Sequence, residues 1–153
     1  MPKLSAPNAM KTNLAFWDTS AIAPLCCFQA KSQSLRQLHR KYEIVAWWAS
    51  SVEAHSALNR LFREKLISQN AFTQSIKRLE ILKNTWREIL PTEKVRELSV
   101  NLIETQNLRT LDALQLASAL VWCFEKPKGR IFVCCDDKLS KAAREIGFNL
   151  LPK

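Results

Sequence analysis

Short apolar segments alternating with stretches of helical periodicity set the tightest limit on how this chain can fold. Leu14-Ala15-Phe16-Trp17, Ile44-Val45-Ala46-Trp47-Trp48 and Ile131-Phe132-Val133-Cys134-Cys135 are four or five residues long and apolar at consecutive positions. That pattern fits strands buried on both faces of a parallel sheet. Between them, Leu35, Leu38 and Tyr42 predict a helix over Ser32–Lys41. Ala54, Ala57, Leu58 and Leu61 recur at i, i+3, i+4 and i+7 behind Ser50-Ser51-Val52-Glu53, which has the S-x-x-E form of a capping box. Phe72, Ile76, Leu79 and Leu82 extend a long helix over residues 69–90, ended by Pro91. Further helices are expected over residues 92–106, 110–124 and 138–146, the last stopped by Gly147, with a short final strand at 148–151. Strands alternating with helices predict an α/β domain with a central, mostly parallel sheet flanked by helices. A length of 153 residues suits one such domain, over 14–153, behind a loose basic tail at 1–13.

Several function classes drop out on composition. Two glycines leave neither a dinucleotide fingerprint nor a P-loop. Five cysteines without a C-x-x-C give no zinc ribbon, and their odd number inside apolar runs suits reduced, buried thiols of a cytoplasmic protein. The apolar stretch 14–28 is interrupted by Asp18 and Pro24, which argues against a secretory leader, and no segment reads as a membrane span. A net charge of +9 points to an anionic partner, with nucleic acid the favoured class.

Aspartate occurs at four positions only, and each borders an apolar strand or helix. Asp18 closes the first strand, Asp112 opens the helix at 110, and Asp136-Asp137 follow the third strand. Capping explains each singly: Asp18 at the start of a short helix over 21–25, Glu53 in the box with Ser50, Asp112 against its helix dipole, Asp137 at the last helix. Together they fall at carboxyl ends of strands or in the first turns that follow, where open α/β sheets bind ligands. Two unit charges ~4 Å apart repel by about 4 kcal/mol at an effective dielectric near 20. A cluster of such acids therefore calls for a cation or for protonation. His39 and His55 have no ligand context, since His55 lies two residues from Glu53 and faces away on its helix. Carboxylates without His or Cys ligands suit Mg²⁺ or Mn²⁺. On a basic protein, that chemistry suits phosphodiester hydrolysis. Trp47 and Trp48 invite a base-stacking role, but strand alternation buries at least one of them, which favours core packing.

These segments resemble the PIN-domain nucleases, in particular the VapC-type toxin ribonucleases of bacterial toxin-antitoxin systems. The resemblance runs in order through Phe16-Trp17-Asp18-Thr19-Ser20, Ser51-Val52-Glu53-Ala54 with Arg60, Leu108-Arg109-Thr110-Leu111-Asp112-Ala113-Leu114-Gln115, and Phe132-Val133-Cys134-Cys135-Asp136-Asp137, covering residues 14–152. It implies a catalytic quartet of Asp18, Glu53, Asp112 and Asp136, with Asp18, Asp112 and Asp136 holding Mg²⁺ or Mn²⁺ and Ser20 as a supporting hydroxyl. It also implies cleavage of single-stranded RNA, a cognate antitoxin, a homodimer, and no membrane association. Three positions depart from the family pattern. Cys134 stands where Thr or Ser is usual, Gln115 where His is frequent, and Asp137 is a second candidate beside Asp136, which the resemblance favours. The helical stretch from Leu58 to Leu82 is apolar enough to face a second chain. Two other readings compete: a non-catalytic RNA-binding module on the same fold, and a housekeeping RNA-processing nuclease without an antitoxin. Retention of all four acids argues against the first.

Overall fold

The computed structural model describes residues 13–153. The basic tail expected at 1–13 lies outside the described residues except for Asn13, whose carbonyl accepts a hydrogen bond from Glu43 N–H at 2.8 Å. Five parallel strands form one sheet in the order β3-β2-β1-β4-β5. They are β1 Leu14–Trp17, β2 Glu43–Trp47, β3 Arg87–Ile89, β4 Ile131–Val133 and β5 Asn149–Leu151. Seven described helices flank them: α1 Thr19–Cys26, α2 Ser32–Lys41, α3 Ser50–Arg63, α4 Gln69–Lys83, α5 Glu93–Gln106, α6 Thr110–Trp122 and α7 Asp137–Ile146. The α/β architecture with a parallel sheet is as the sequence predicts.

Alternation along the central strands divides the core into two layers. Ala15 and Trp17 of β1, with Ile44 and Ala46 of β2, pack under α1 to α4 together with Ile22, Leu35, Leu58 and Leu79. Phe16, Val45, Trp47 and Phe132 point the other way, under α5 to α7 with Val95, Leu116 and Leu139. Both faces are covered, which is why these strands are apolar at every position except Glu43 at the exposed start of β2. Trp47 is buried as expected, while Trp48 is half exposed just beyond β2, its N–H bonded to Ile89 O at 2.9 Å.

Three local expectations are corrected. The helix over 69–90 stops at Lys83, and Arg87–Ile89 leave it to form the edge strand β3. The two exposed charged residues of that strand gave no apolar signal. The capping box at Ser50 does not form: α3 starts behind Ala49 without a side-chain cap, Ser50 is buried, and Glu53 turns toward the sheet end. The last helix is capped by Asp136 and not by Asp137, through Leu139 N–H to Asp136 Oδ1 at 2.7 Å. Within the stripe from Leu58 to Leu82, α3 and α4 pack on each other and Leu58 and Leu79 are fully buried, while Leu66 and Ile81 stay exposed. No described helix is long and apolar enough to cross a membrane.

Candidate active site

The strand order reverses direction at β1, since the chain first builds outward through β2 and β3 and then returns to add β4 and β5 on the other side. Asp18 lies at the carboxyl end of β1 and Asp136 beyond the carboxyl end of β4, flanking that reversal. Open α/β sheets form their binding crevice at such a point. Glu53 and Asp112 stand in the first turns of α3 and α6, adding two carboxylates to the same end.

Asp18 is 5 % exposed and caps α1, accepting from Ser20 N–H at 3.0 Å. Burial raises its pKa above the ordinary carboxylate value and the nearby charge of Asp112 adds to the rise, against the lowering effect of Ser20 and Thr19. Capping and site membership thus coexist in one side chain. Cys134 Sγ approaches Asp18 Oδ2 at 3.7 Å and Ser20 Oγ at 3.7 Å, and receives Asp136 N–H at 3.4 Å. The Ser20 hydroxyl accepts from Cys135 N–H at 2.9 Å, tying α1 to the end of β4. Burial pushes the Cys134 thiol up to about 12, so it serves as a neutral spacer between the two acids. All five cysteines are free, and Cys135 alone is less than fully buried.

Glu53 is held by groups that the sequence did not flag as partners. Gln115 Nε2 lies 2.9 Å from Thr19 Oγ1, 3.3 Å from Ser50 Oγ and 3.3 Å from Glu53 Oε1. Thr19 Oγ1 in turn donates to Glu53 Oε2 at 3.4 Å. Burial raises Glu53 to about 7, helped by the charges of Asp18 and Asp112 and opposed by the Gln115 and Thr19 hydrogen bonds. Asp112 is half-buried and also raised, by burial and by Asp136, while Arg109 and Lys138 pull it down. Asp136 and Asp137 are both exposed. Of the two, Asp136 acts electrostatically on Asp112. The structure therefore brings Asp18, Glu53, Asp112 and Asp136 to one end of the sheet, with Ser20 bonded to Asp18 and to the end of β4.

Two histidines stay out of this cluster: His39 sits edge-on to Trp17, and His55 edge-on to Phe72. Thr19, Ser50 and the role of Gln115 were missed by sequence reading. Thr19 carried a signal in following Asp18 directly, whereas Ser50 and Gln115 meet only in three dimensions.

The donor set fits a hard divalent cation in kind. Every candidate ligand is a carboxylate oxygen, none of the four acids takes part in a described salt bridge, and the buried Gln115 Oε1 has no hydrogen-bond partner among the described residues. No three Asp, Glu, His or Cys side chains among the described residues lie close enough to enclose an ion. Mg²⁺ does not require such a cage, since it retains several waters and is held by one or two carboxylates plus substrate phosphate.

Fold and site define an all-parallel α/β domain with an acidic cluster at its switch point. Among solved structures, a chain of a "Toxin-antitoxin complex from Klebsiella pneumoniae" is similar to it with a TM-score of 0.59 at 15% identity, over 80% of this chain and 86% of that one. That likeness shows a shared fold. No family model matches the sequence. No curated protein matches it either.

Proposed function

We propose that this protein is a metal-dependent endoribonuclease that cleaves phosphodiester bonds of single-stranded RNA, acting as the toxin of a type II toxin-antitoxin pair. The observation that carries the reading is the convergence of four carboxylates from four separate segments on one sheet end, with burial and mutual repulsion raising Asp18, Glu53 and Asp112 together. Acids whose proton affinity stays raised despite nearby hydrogen bonds and cations cluster at functional sites, where the cost is offset by what binds there.

Asp18 and Asp112 would hold Mg²⁺ or Mn²⁺ as a two-carboxylate set, with Asp136 adding negative charge from the solvent side. The chemistry such a cation supplies when bound is activation of a water and neutralisation of phosphate charge. The remaining work falls to the chain itself. Gln115 and Thr19 orient the Glu53 carboxylate, which accepts a proton from the attacking water; a proton affinity near neutrality suits that task. Cys134 and Ser20 keep Asp18 and the start of α7 in register. The net charge of +9 supplies the cations that hold an RNA backbone.

The toxin role is supported by the fold shared with a chain of a toxin-antitoxin complex. On this reading, an antitoxin masks the acidic crevice and the toxin self-associates. Expression of the protein alone should arrest growth, and co-expression with the product of a small neighbouring gene should restore it and yield one complex on sizing. Harmless expression without a binding neighbour product would sink the toxin assignment and leave a housekeeping nuclease.

A further inference from the structure

The segment from Thr19 to Tyr42 contains no acidic residue, although fourteen occur in the chain, and it carries Lys31, Arg36, Arg40 and Lys41. Its cations run from Lys31 at the α1–α2 corner along α2 to Arg40 and Lys41 at the helix end. Phe28 stands there 79 % exposed, and with Arg36 and Arg40 it lines a hollow of about 320 Å³. Lys31, three residues on, borders a larger cleft of about 490 Å³ together with Thr19, Ser20 and Arg60. That cleft runs beside Asp18 and Glu53, because Ser20 bonds the first and Thr19 the second. The acidic crevice and the Phe28 hollow are thus joined by one short stretch of chain, residues 28–31.

The spacing on α2 is informative. Arg36 and Arg40 are four residues apart and share a face, separated along the axis by about 6 Å. Like charges at that spacing disfavour an isolated helix, and neither guanidinium has a described carboxylate partner. The rise is close to one nucleotide step of an extended strand. An exposed aromatic beside such a pair has the composition of a single-strand platform, in which cations follow the backbone and a ring stacks a base.

We propose that the α1–α2 corner is the track on which single-stranded RNA enters or leaves the acidic crevice. Phe28 stacks a base, Arg36 and Arg40 hold consecutive phosphates, and Lys31 with Arg60 guides the strand into the cleft. This inference rests on the ribonuclease reading for its substrate class, but its test does not require turnover. An acidic protein segment would find the same cations, but it would be repelled by the carboxylates at the sheet end to which the cleft leads.

The test is binding of fluorescein-labelled polyuridine to full-length protein carrying Asp112→Asn, followed by anisotropy across a salt series. Arg36→Gln/Arg40→Gln should weaken binding at least ten-fold and reduce the slope of log K against log salt by about 1.4, two phosphate contacts at ~0.7 each. Phe28→Ala should cost about five-fold or more, with recovery in Phe28→Tyr. The charge-matched Lys126→Gln/Lys128→Gln protein, altered at the opposite end of the sheet, should keep the parent slope. If the arginine pair matches the lysine pair, or if Phe28→Ala binds as the parent does, the track is refuted even where the wild type cleaves RNA. Displacement by polyglutamate as effective as by unlabelled polyuridine would also overturn it, in favour of an acidic protein partner. Conversely, track-dependent binding by a wild type that cleaves nothing would sustain the track and defeat the ribonuclease reading.

Discussion

Asp18 and Glu53 form the inner half of the carboxylate cluster, and Asp112 with Asp136 the outer half. The inner pair is tied to fixed neighbours: Asp18 to Ser20 and Cys134, Glu53 to Gln115 and Thr19. Of the outer pair, Asp136 is exposed and Asp112 half-buried, with Arg109 and Lys138 close enough to offset the charge of Asp112. Carboxylates held by several partners are preorganised, whereas among the described residues Asp112 has none and Asp136 is held only through its α7 cap. The site therefore places more of its electrostatic cost in the inner pair, as the proposed reading of a centre acting on a polyanion would require.

The largest effects should follow from neutralising one acid of each half. Asp18→Asn and Asp112→Asn should each reduce RNA cleavage by about 10²-fold or more, as expected when transition-state charge loses its support. Their stabilities should differ. Asn caps a helix as well as Asp does, so Asp18→Asn keeps the start of α1 and removes the most buried charge. Its metal-free melting temperature should rise above that of the wild type, and by more than for Asp112→Asn. Equal shifts in the two proteins would erase the distinction between inner and outer halves.

The pH dependence of the metal-free protein follows from raised carboxylates. Glu53 ordinarily titrates near 4.5 and is raised to about 7, and Asp18 and Asp112 are raised in the same direction. The folded state thus binds more protons than the unfolded one across that window, so stability is greatest below it and falls as pH rises through about 7. Melting curves in EDTA should show that fall, and saturating Mg²⁺ or Mn²⁺ should flatten it. A melting temperature independent of pH through this range would contradict the inner-half burial.

How much of this could be read from the sequence depended on what each residue advertises. Asp18 was legible because it terminates an uninterrupted apolar strand, and β1, β2 and β4 were legible because both of their faces are buried. β3 was not, since Arg87 and Glu88 are exposed at the sheet edge and helical periodicity runs up to them. Glu53 fits a capping box and a site equally well, because both place a carboxylate in the first turn of α3; only the approach of Gln115 from α6 separates the two. The choice between Asp136 and Asp137 turned on one residue of helix phase.

That last choice yields the smallest predicted effects. Asp136→Ala should lose the α7 cap, about 1 kcal/mol of stability, and also impair cleavage. Asp137→Ala should leave turnover within a few-fold of wild type, with a stability change no larger than about 0.3 to 1 kcal/mol, the scale of a first-turn dipole contact. The reverse ranking in turnover would transfer the outer ligand to Asp137.

The central claim, a carboxylate cluster that hydrolyses RNA with a divalent cation, is tested most directly by single-turnover cleavage of a labelled single-stranded RNA. Wild type is assayed in EDTA and again after Mg²⁺ or Mn²⁺ is restored, with folded Asp112→Asn beside it. The account predicts that cleavage stops in EDTA, returns with the metal, and is nearly absent in Asp112→Asn at every metal concentration. Undiminished cleavage in EDTA, or wild-type rates from Asp112→Asn, would contradict it.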